Sequence, residues 1–290
     1  MLIFKSDDEY FNKITELEKE AENEEQDFIN RHPNASELEI NYYDSIENFD
    51  EYRVYKNFAQ SLNFDALIYD FINLKQLWME SDLNENLNPY IKFYGLDEAE
   101  LSILNKDYAY MIENDDVRFI IKHFSDGIAV ITDGNLNTLN HLSSFNSLHD
   151  SDVELLENVQ YSFNSSSNCI SWGTQIDYRS LNRNSTKRVY GITRITRYYE
   201  VWGYIVSLTK LKVKAVTIKK RWWCNCWRRY RVSHIKAAID GRVGEWYCGD
   251  YNIFLDKSNN YKEKTNRSKV VYKFYYPPPQ PDVLSDSIIY

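Results

Sequence analysis

Apolar residues recur at helical spacing along the first part of the chain: Phe11, Ile14, Leu17, Ala21 and Phe28, then Leu38, Tyr42 and Ile46, then Tyr55, Phe58 and Leu62, then Leu67, Phe71, Leu74 and Trp78. Each set marks one stripe of an amphipathic helix. Ser6-Asp7-Asp8-Glu9 reads as a capping box that opens the first helix, with acidic residues at its positive end. Glu16, Glu18, Glu20, Glu22 and Glu24 fill its wet face, and His32-Pro33 ends the run. Asp97, Glu98 and Glu100, after Gly95, read as the start of another helix.

The period then shortens. Val117 to Ile121 and Ile128 to Thr132 are β-branched runs on either side of Asp126-Gly127, a dipeptide suited to a tight hairpin. The Asn- and Ser-rich segment that follows predicts a linker with one helix around Asp152 to Val159. Farther on, Lys210, Lys212 and Lys214 alternate with Leu211, Val213 and Ala215, as in a half-buried antiparallel strand. Four prolines, Pro277, Pro278, Pro279 and Pro281, precede a short apolar tip ending at Tyr290. The expected class is α+β: a helical N-terminal region with a small sheet, an antiparallel β-sandwich-like domain, and an extended C-terminal arm. The expected units are an acidic domain 1–133, a linker 134–166, a basic β-rich domain 167–276 and the arm 277–290.

Charge divides the chain at the same place. Residues 1–150 hold 11 Lys or Arg against 31 Asp or Glu, and residues 151–290 hold 23 against 12. A net charge of −9 thus hides two opposite poles, which favours domain packing or head-to-tail association of copies. No apolar run is long enough to cross a membrane, and MLIFKSDDEYFNK lacks the features of a signal peptide, so a location in the cytoplasm or in a virion is expected. Four cysteines, Cys169, Cys224, Cys226 and Cys248, are few enough to read as reduced thiols.

Candidate chemistry concentrates in KKRWWCNCWRRYRVSH, Lys219 to His234. Cys224, Cys226, Cys248 and His234 offer zinc-type atoms, but a single intervening residue does not match the common metal knuckles, so buried thiols and no metal or other cofactor are expected. Arginines interleaved with aromatic rings could stack bases, yet Trp, Tyr and Arg are also the residues that dominate protein interfaces, and an acidic pI near 5.2 disfavours a dedicated nucleic-acid binder. The chain has no GxSxG, P-loop or HExxH motif, and an enzyme is not expected. Trp222, Trp223, Trp227, Arg228, Arg229 and Arg231, with Pro277, Pro278, Pro279 and Tyr290 of the arm, are the candidate contacts to other protein subunits.

Three stretches, IFKSDDEYFNKITEL, LNKDYAYMIENDDVRFIIKHF and RITRYYEVWGYIVSLTKLKVKAVTIKKRWW, occur in an order that resembles a family of Bacteroidetes secreted lipoproteins of uncharacterised function. The resemblance implies a helical part followed by a β-sandwich, and it transfers no site residue. The lipoprotein signal and its cysteine are missing here, which points to a relative encoded by a phage, such as a crAss-like phage. The expected function is that of a non-enzymatic structural or assembly protein of a virion tail or collar. It would act through other protein subunits, in a homo-oligomeric ring or a heteromeric assembly. The alternatives are a surface glycan- or receptor-binding module and a cytoplasmic single-stranded nucleic-acid-binding protein.

Overall fold

The computed structural model describes residues 1–94, 96–115, 117–124 and 127–142, and beyond them the strands named below. The chain opens with β1 (Ile3–Phe4), which turns at Lys5 into α1 (Asp7–Asn30). Ser6 caps α1 by accepting from the Glu9 amide at 3.2 Å, while the Glu9 carboxylate reaches back to the Lys5 amide at 2.6 Å. One orphan donor of the helix, the Glu9 amide, and one of the turn before it, the Lys5 amide, are thereby satisfied. Tyr10, Phe11, Ile14, Leu17 and Phe28 form its buried stripe.

Shorter helices follow: α2 (Glu37–Glu47), α3 (Arg53–Gln60), α4 (Ile68–Glu80), α5 (Pro89–Lys92) and α6 (Glu98–Ile103). The acidic start expected near residue 97 is the N-terminus of α6, where Asp97 and Glu100 form a reciprocal capping box. Helices α1, α3, α4, α5 and α6 share a core with a mixed sheet of order β1-β2-β3-β4-β5, made with β2 (Ala109–Asn114), β3 (Val117–His123), β4 (Gly127–Ile131) and β5 (Val159–Phe163). Its one parallel pair is β1 with β2, Ile3 opposite Met111. The other pairs are antiparallel.

Alternation along these strands divides the core in two. Tyr110, Ile112, Phe119, Ile121 and Val130 join the helices in the larger cluster. Ala109, Met111, Ile120, Ala129 and Ile131 lie on the opposite face, covered by Leu139 and Leu142 at and just beyond α7 (Leu136–His141). Gly134 makes the turn into α7 at φ 64°, and a Cβ there would come within 2.6 Å of Arg118 Cγ. The segment expected as a linker therefore contains a helix, and its β5 extends the first sheet; of the helix expected around Asp152 to Val159, residues 152–158 lie outside the described residues and Val159 opens β5 instead.

Two further sheets are antiparallel. The first has the order β12-β8-β7-β6, with β9 also paired to β8, from β6 (Gly173–Asn184), β7 (Lys187–Arg197), β8 (Thr209–Arg221), β9 (Cys226–Arg229) and β12 (Asn259–Tyr261). The second has the order β11-β10-β13-β14, from β10 (Lys236–Asp240), β11 (Asn252–Leu255), β13 (Lys269–Tyr276) and β14 (Asp282–Ile289). Residues 282–289, expected to extend away as an arm, instead pair with β13 from Tyr276↔Asp282 to Lys269↔Ile289. An antiparallel partner satisfies their backbone groups, which a free arm would leave to water. Pro277, Pro278, Pro279 and Tyr290 lie outside the described residues.

Candidate functional site

The stretch from Lys219 onward is not one continuous strand. β8 ends at Arg221 and the chain returns as β9, with Arg221 opposite Cys226, Lys220 opposite Trp227 and Lys219 opposite Arg228. This fold-back carries the cluster onto the C-terminal end of α4, inside the acidic half of the same chain.

The receiving end of α4 has an unusual backbone. Ser81 caps the helix, its amide bonding to Leu77 O and its hydroxyl to Trp78 O. Asp82 and Leu83 then both adopt left-handed conformations, φ 56° and 66°. Aspartate tolerates that region, whereas leucine is strained there by roughly 1 kcal/mol. Leu83 offsets the cost by burial at 5% exposure and by its amide bond to Trp78 O.

Asp82 Oδ1 accepts from Trp227 Nε1 at 2.7 Å and from Lys220 Nζ at 2.7 Å. The Lys220 ammonium also lies 5.8 Å from the Trp227 ring centroid. Trp227 is 1% exposed and belongs to the main hydrophobic core, so its ring fills the helical layer while its only donor meets a charged acceptor. Arg228 Nη2 stands 3.8 Å from Glu80 Oε1, a weaker and half-exposed pair. Two of the residues expected to contact a neighbouring subunit, Trp227 and Arg228, thus contact this chain's own helical half. Arg229 lies in β9; Trp222, Trp223, Cys224, Arg231, His234 and Cys248 lie outside the described residues.

Cys226 corrects another expectation. It is buried, as foreseen, but it is disulfide-bonded rather than a free thiol. Its sulfur therefore cannot serve as a thiolate ligand to zinc. Among the described residues no group of three or more His, Cys, Asp or Glu could hold a metal ion.

A second surface stands out on α2. Its N-terminus carries a complete capping box, Ser36 with Glu39, and hydrogen bonds from the Ser36 side chain and backbone hold the Glu39 carboxyl below its usual range. The inner side is fastened to the end of α1: His32 stacks on Tyr43 at 4.2 Å and 6°, His32 Nε2 lies 2.8 Å from Glu47 Oε1, and Phe28 meets Phe49 at 4.9 Å. The outer side presents Leu38, Tyr42 and Ile46, which are 68%, 62% and 55% exposed. Their spacing of four was legible as a helical stripe, but the sequence suggested a buried one. The signal in the sequence was a further pair of apolar residues in the same helix, Ile40 and Tyr43, which are half-buried while the stripe is exposed.

The helical layer also buries charge. Lys75, 5% exposed, donates to the Tyr52 hydroxyl, lies 3.5 Å from Glu51 and sits 5.0 Å from the Tyr52 ring centroid. Burial, reinforced by Glu51 and Glu98, pushes the Tyr52 hydroxyl well above its ordinary range, so it remains protonated and accepts from the ammonium. Near β1, Tyr10 stacks on Tyr110 at 3.8 Å, and burial, with help from Asp8, pushes neighbouring Asp7 up to about 7.

No protein-family model matches the chain, and neither the curated proteins nor the solved structures contain a match to it.

Proposed function

We propose that this chain is a non-enzymatic assembly subunit of a virion tail or collar, or of a comparable particle, and that it works through contacts with other protein subunits. The observation that carries this reading is the exposed Leu38, Tyr42 and Ile46 face on a helix capped at its start and held near its end by His32. A scattered surface leucine needs no explanation, but three large apolar side chains in helical register form the kind of stripe that partner proteins bury. Their burial is worth on the order of 4 kcal/mol before ordering costs.

Other features fit the same reading. The two C-terminal sheets run in matching order, with β8 near β10, β7 near β13 and β6 near β14, which supports a sandwich serving as a rigid building block. A disulfide at Cys226 suits a particle that operates outside a reducing cytoplasm. Among the described residues the alternatives draw less support: the two tryptophans described, Trp78 and Trp227, are buried, and Lys220 and Arg228 face carboxylates. No helix among the described residues is long and apolar enough to cross a membrane. The test is incorporation: purified particles from cells expressing the gene should contain the chain at a fixed stoichiometry by quantitative mass spectrometry. Particles complete and infectious without it would overturn the proposal.

A further inference from the structure

We infer that the Cys226 disulfide and the Trp227–Asp82 contact form one redox latch between the two halves of the chain: closed, the sulfur bond holds the indole in the helical layer, and reduced, it lets the indole leave while that layer stays folded. The inference is independent of the assembly reading above. Three observations converge on it.

The first is the position of β9 between two anchors. Successive residues of a strand point to opposite faces, so Cys226 and Trp227 leave β9 on opposite sides. Trp227 enters the main core, whereas Cys226, although only 5% exposed, is not part of that core. One face of β9 is therefore tied to the acidic half by the indole. The other is tied covalently to a cysteine of the basic half, because Cys169, Cys224 and Cys248 all lie there. The second observation is the shortness of the strand. Its ladder with β8 runs only from Ile218↔Arg229 to Arg221↔Cys226, and among the described strands it pairs with no other. A hairpin this short is marginal without outside support. The third is the receiving end of α4. Trp227 and Lys220 bind Asp82, and Arg228 faces Glu80, so all of these contacts leave with the hairpin. Leu83 is held beside them in a left-handed conformation, a cost that favours opening once the indole is free to leave.

Opening is a two-electron step. A dithiol gives up two electrons and two protons, the sulfur–sulfur bond of Cys226 becomes two thiols, and the dithiol closes to its own disulfide. An oxidised disulfide carrier reverses each transfer. Couplings of this kind are reciprocal: the factor by which the closed bond favours docking is also the factor by which docking favours the closed bond. In a reducing compartment the halves therefore part at β9, and in an oxidising one they lock.

The coupling is tested by equilibrating the full chain with mixtures of reduced and oxidised dithiothreitol, quenching in acid and reading alkylated Cys226 by mass spectrometry. Asp82→Ala should reach half reduction at a ratio of reduced to oxidised reagent lower than that of wild type by about tenfold or more, a rise in potential of about 30 mV. Gly134→Ala strains the turn into α7, on the opposite face of the sheet from the core that Trp227 enters, and should titrate as wild type does. Hydrogen exchange on the wild type should show peptides covering 78–83 and 226–229 exchanging at least about tenfold faster after reduction, with α1 and β2 unchanged. This comparison decides the matter even if Asp82→Ala fails to fold. A disulfide that the reagent leaves intact in the folded chain, or equal midpoints for wild type and Asp82→Ala, would overturn the inference. So would a reduced chain whose exchange at those peptides is unchanged, or one whose exchange rises throughout.

Discussion

Lys220 and Trp227 face each other across the β8–β9 ladder and donate to the same oxygen of Asp82, 2.7 Å from each. A cross-strand pair in the basic half thus closes on a single carboxylate of the acidic half. Removing that carboxylate leaves a buried indole N–H without its acceptor. Asp82→Ala should therefore destabilise the protein by about 2 kcal/mol in urea unfolding, whereas Asp82→Asn, which keeps an acceptor oxygen and tolerates the left-handed backbone, should cost about half as much. A shifted ¹⁹F resonance from fluorotryptophan at position 227 would report the same loss; equal stability of both variants would mean the indole finds another acceptor.

The disulfide partner of Cys226 is expected to be Cys224 or Cys248, not Cys169. Cys169 precedes Gly173 by four residues, a reach of roughly 14 Å. Gly173 pairs with Arg197 and so aligns with Thr209, whereas Cys226 pairs with Arg221 at the opposite end of β8, about 40 Å along the strand. Non-reducing tryptic mapping separates the cases: a loss of two mass units within residues 222–228, or a cross-link of that peptide to residues 243–257. A link to the Cys169 peptide would contradict the strand register.

Asp7 gives the stability a pH dependence of known sign. Its carboxyl titrates near 7 in the folded chain, because burial and then Asp8 raise it and Tyr110 only partly offsets them, against an ordinary value of 3.8. Between those values the folded state holds a proton that the unfolded state releases. Stability should fall as pH rises through that window, by at most on the order of 4 kcal/mol, and be insensitive to this group outside it. Asp7→Asn should remove the slope and stabilise the protein at pH 8; denaturation curves from pH 4 to 8 on both proteins decide the matter.

Lys75 is the counter-charge inside the helical layer. Lys75→Met should cost about 3 kcal/mol, since Glu51 then loses its partner beside a buried phenol. Adding Glu51→Gln should recover part of that loss in a double-mutant cycle. Strict additivity would place Glu51 outside the network.

Local chemistry made several elements legible. Ser6 with Glu9, and Asp97 with Glu100, advertise helix starts because capping is decided within four residues. The Lys210 to Ala215 alternation fixed a strand for a similar reason. What depended on distant partners was not legible. The spacing of Leu38, Tyr42 and Ile46 specifies a helix but not which side is covered, and His32, from the turn after α1, packs on the other side at Tyr43. Nothing local in Lys219 to His234 announces that Cys226–Arg229 pairs back onto β8, and the ladder with Arg221 and the docking of Trp227 into a core built by earlier residues reveal that reversal. The parallel pairing of Ile3 with Met111 joins two short segments separated by the whole helical layer, and no local pattern announces it.

That reversal also orders events during synthesis. Asp82 leaves the ribosome 145 residues ahead of Trp227, a delay of roughly 7 to 30 s at ordinary elongation rates. Throughout that interval the nascent helical layer lacks the indole that completes its interior. The pocket beside Asp82 is therefore the last part of that core to be filled, and it is filled by a residue from the basic half of the chain.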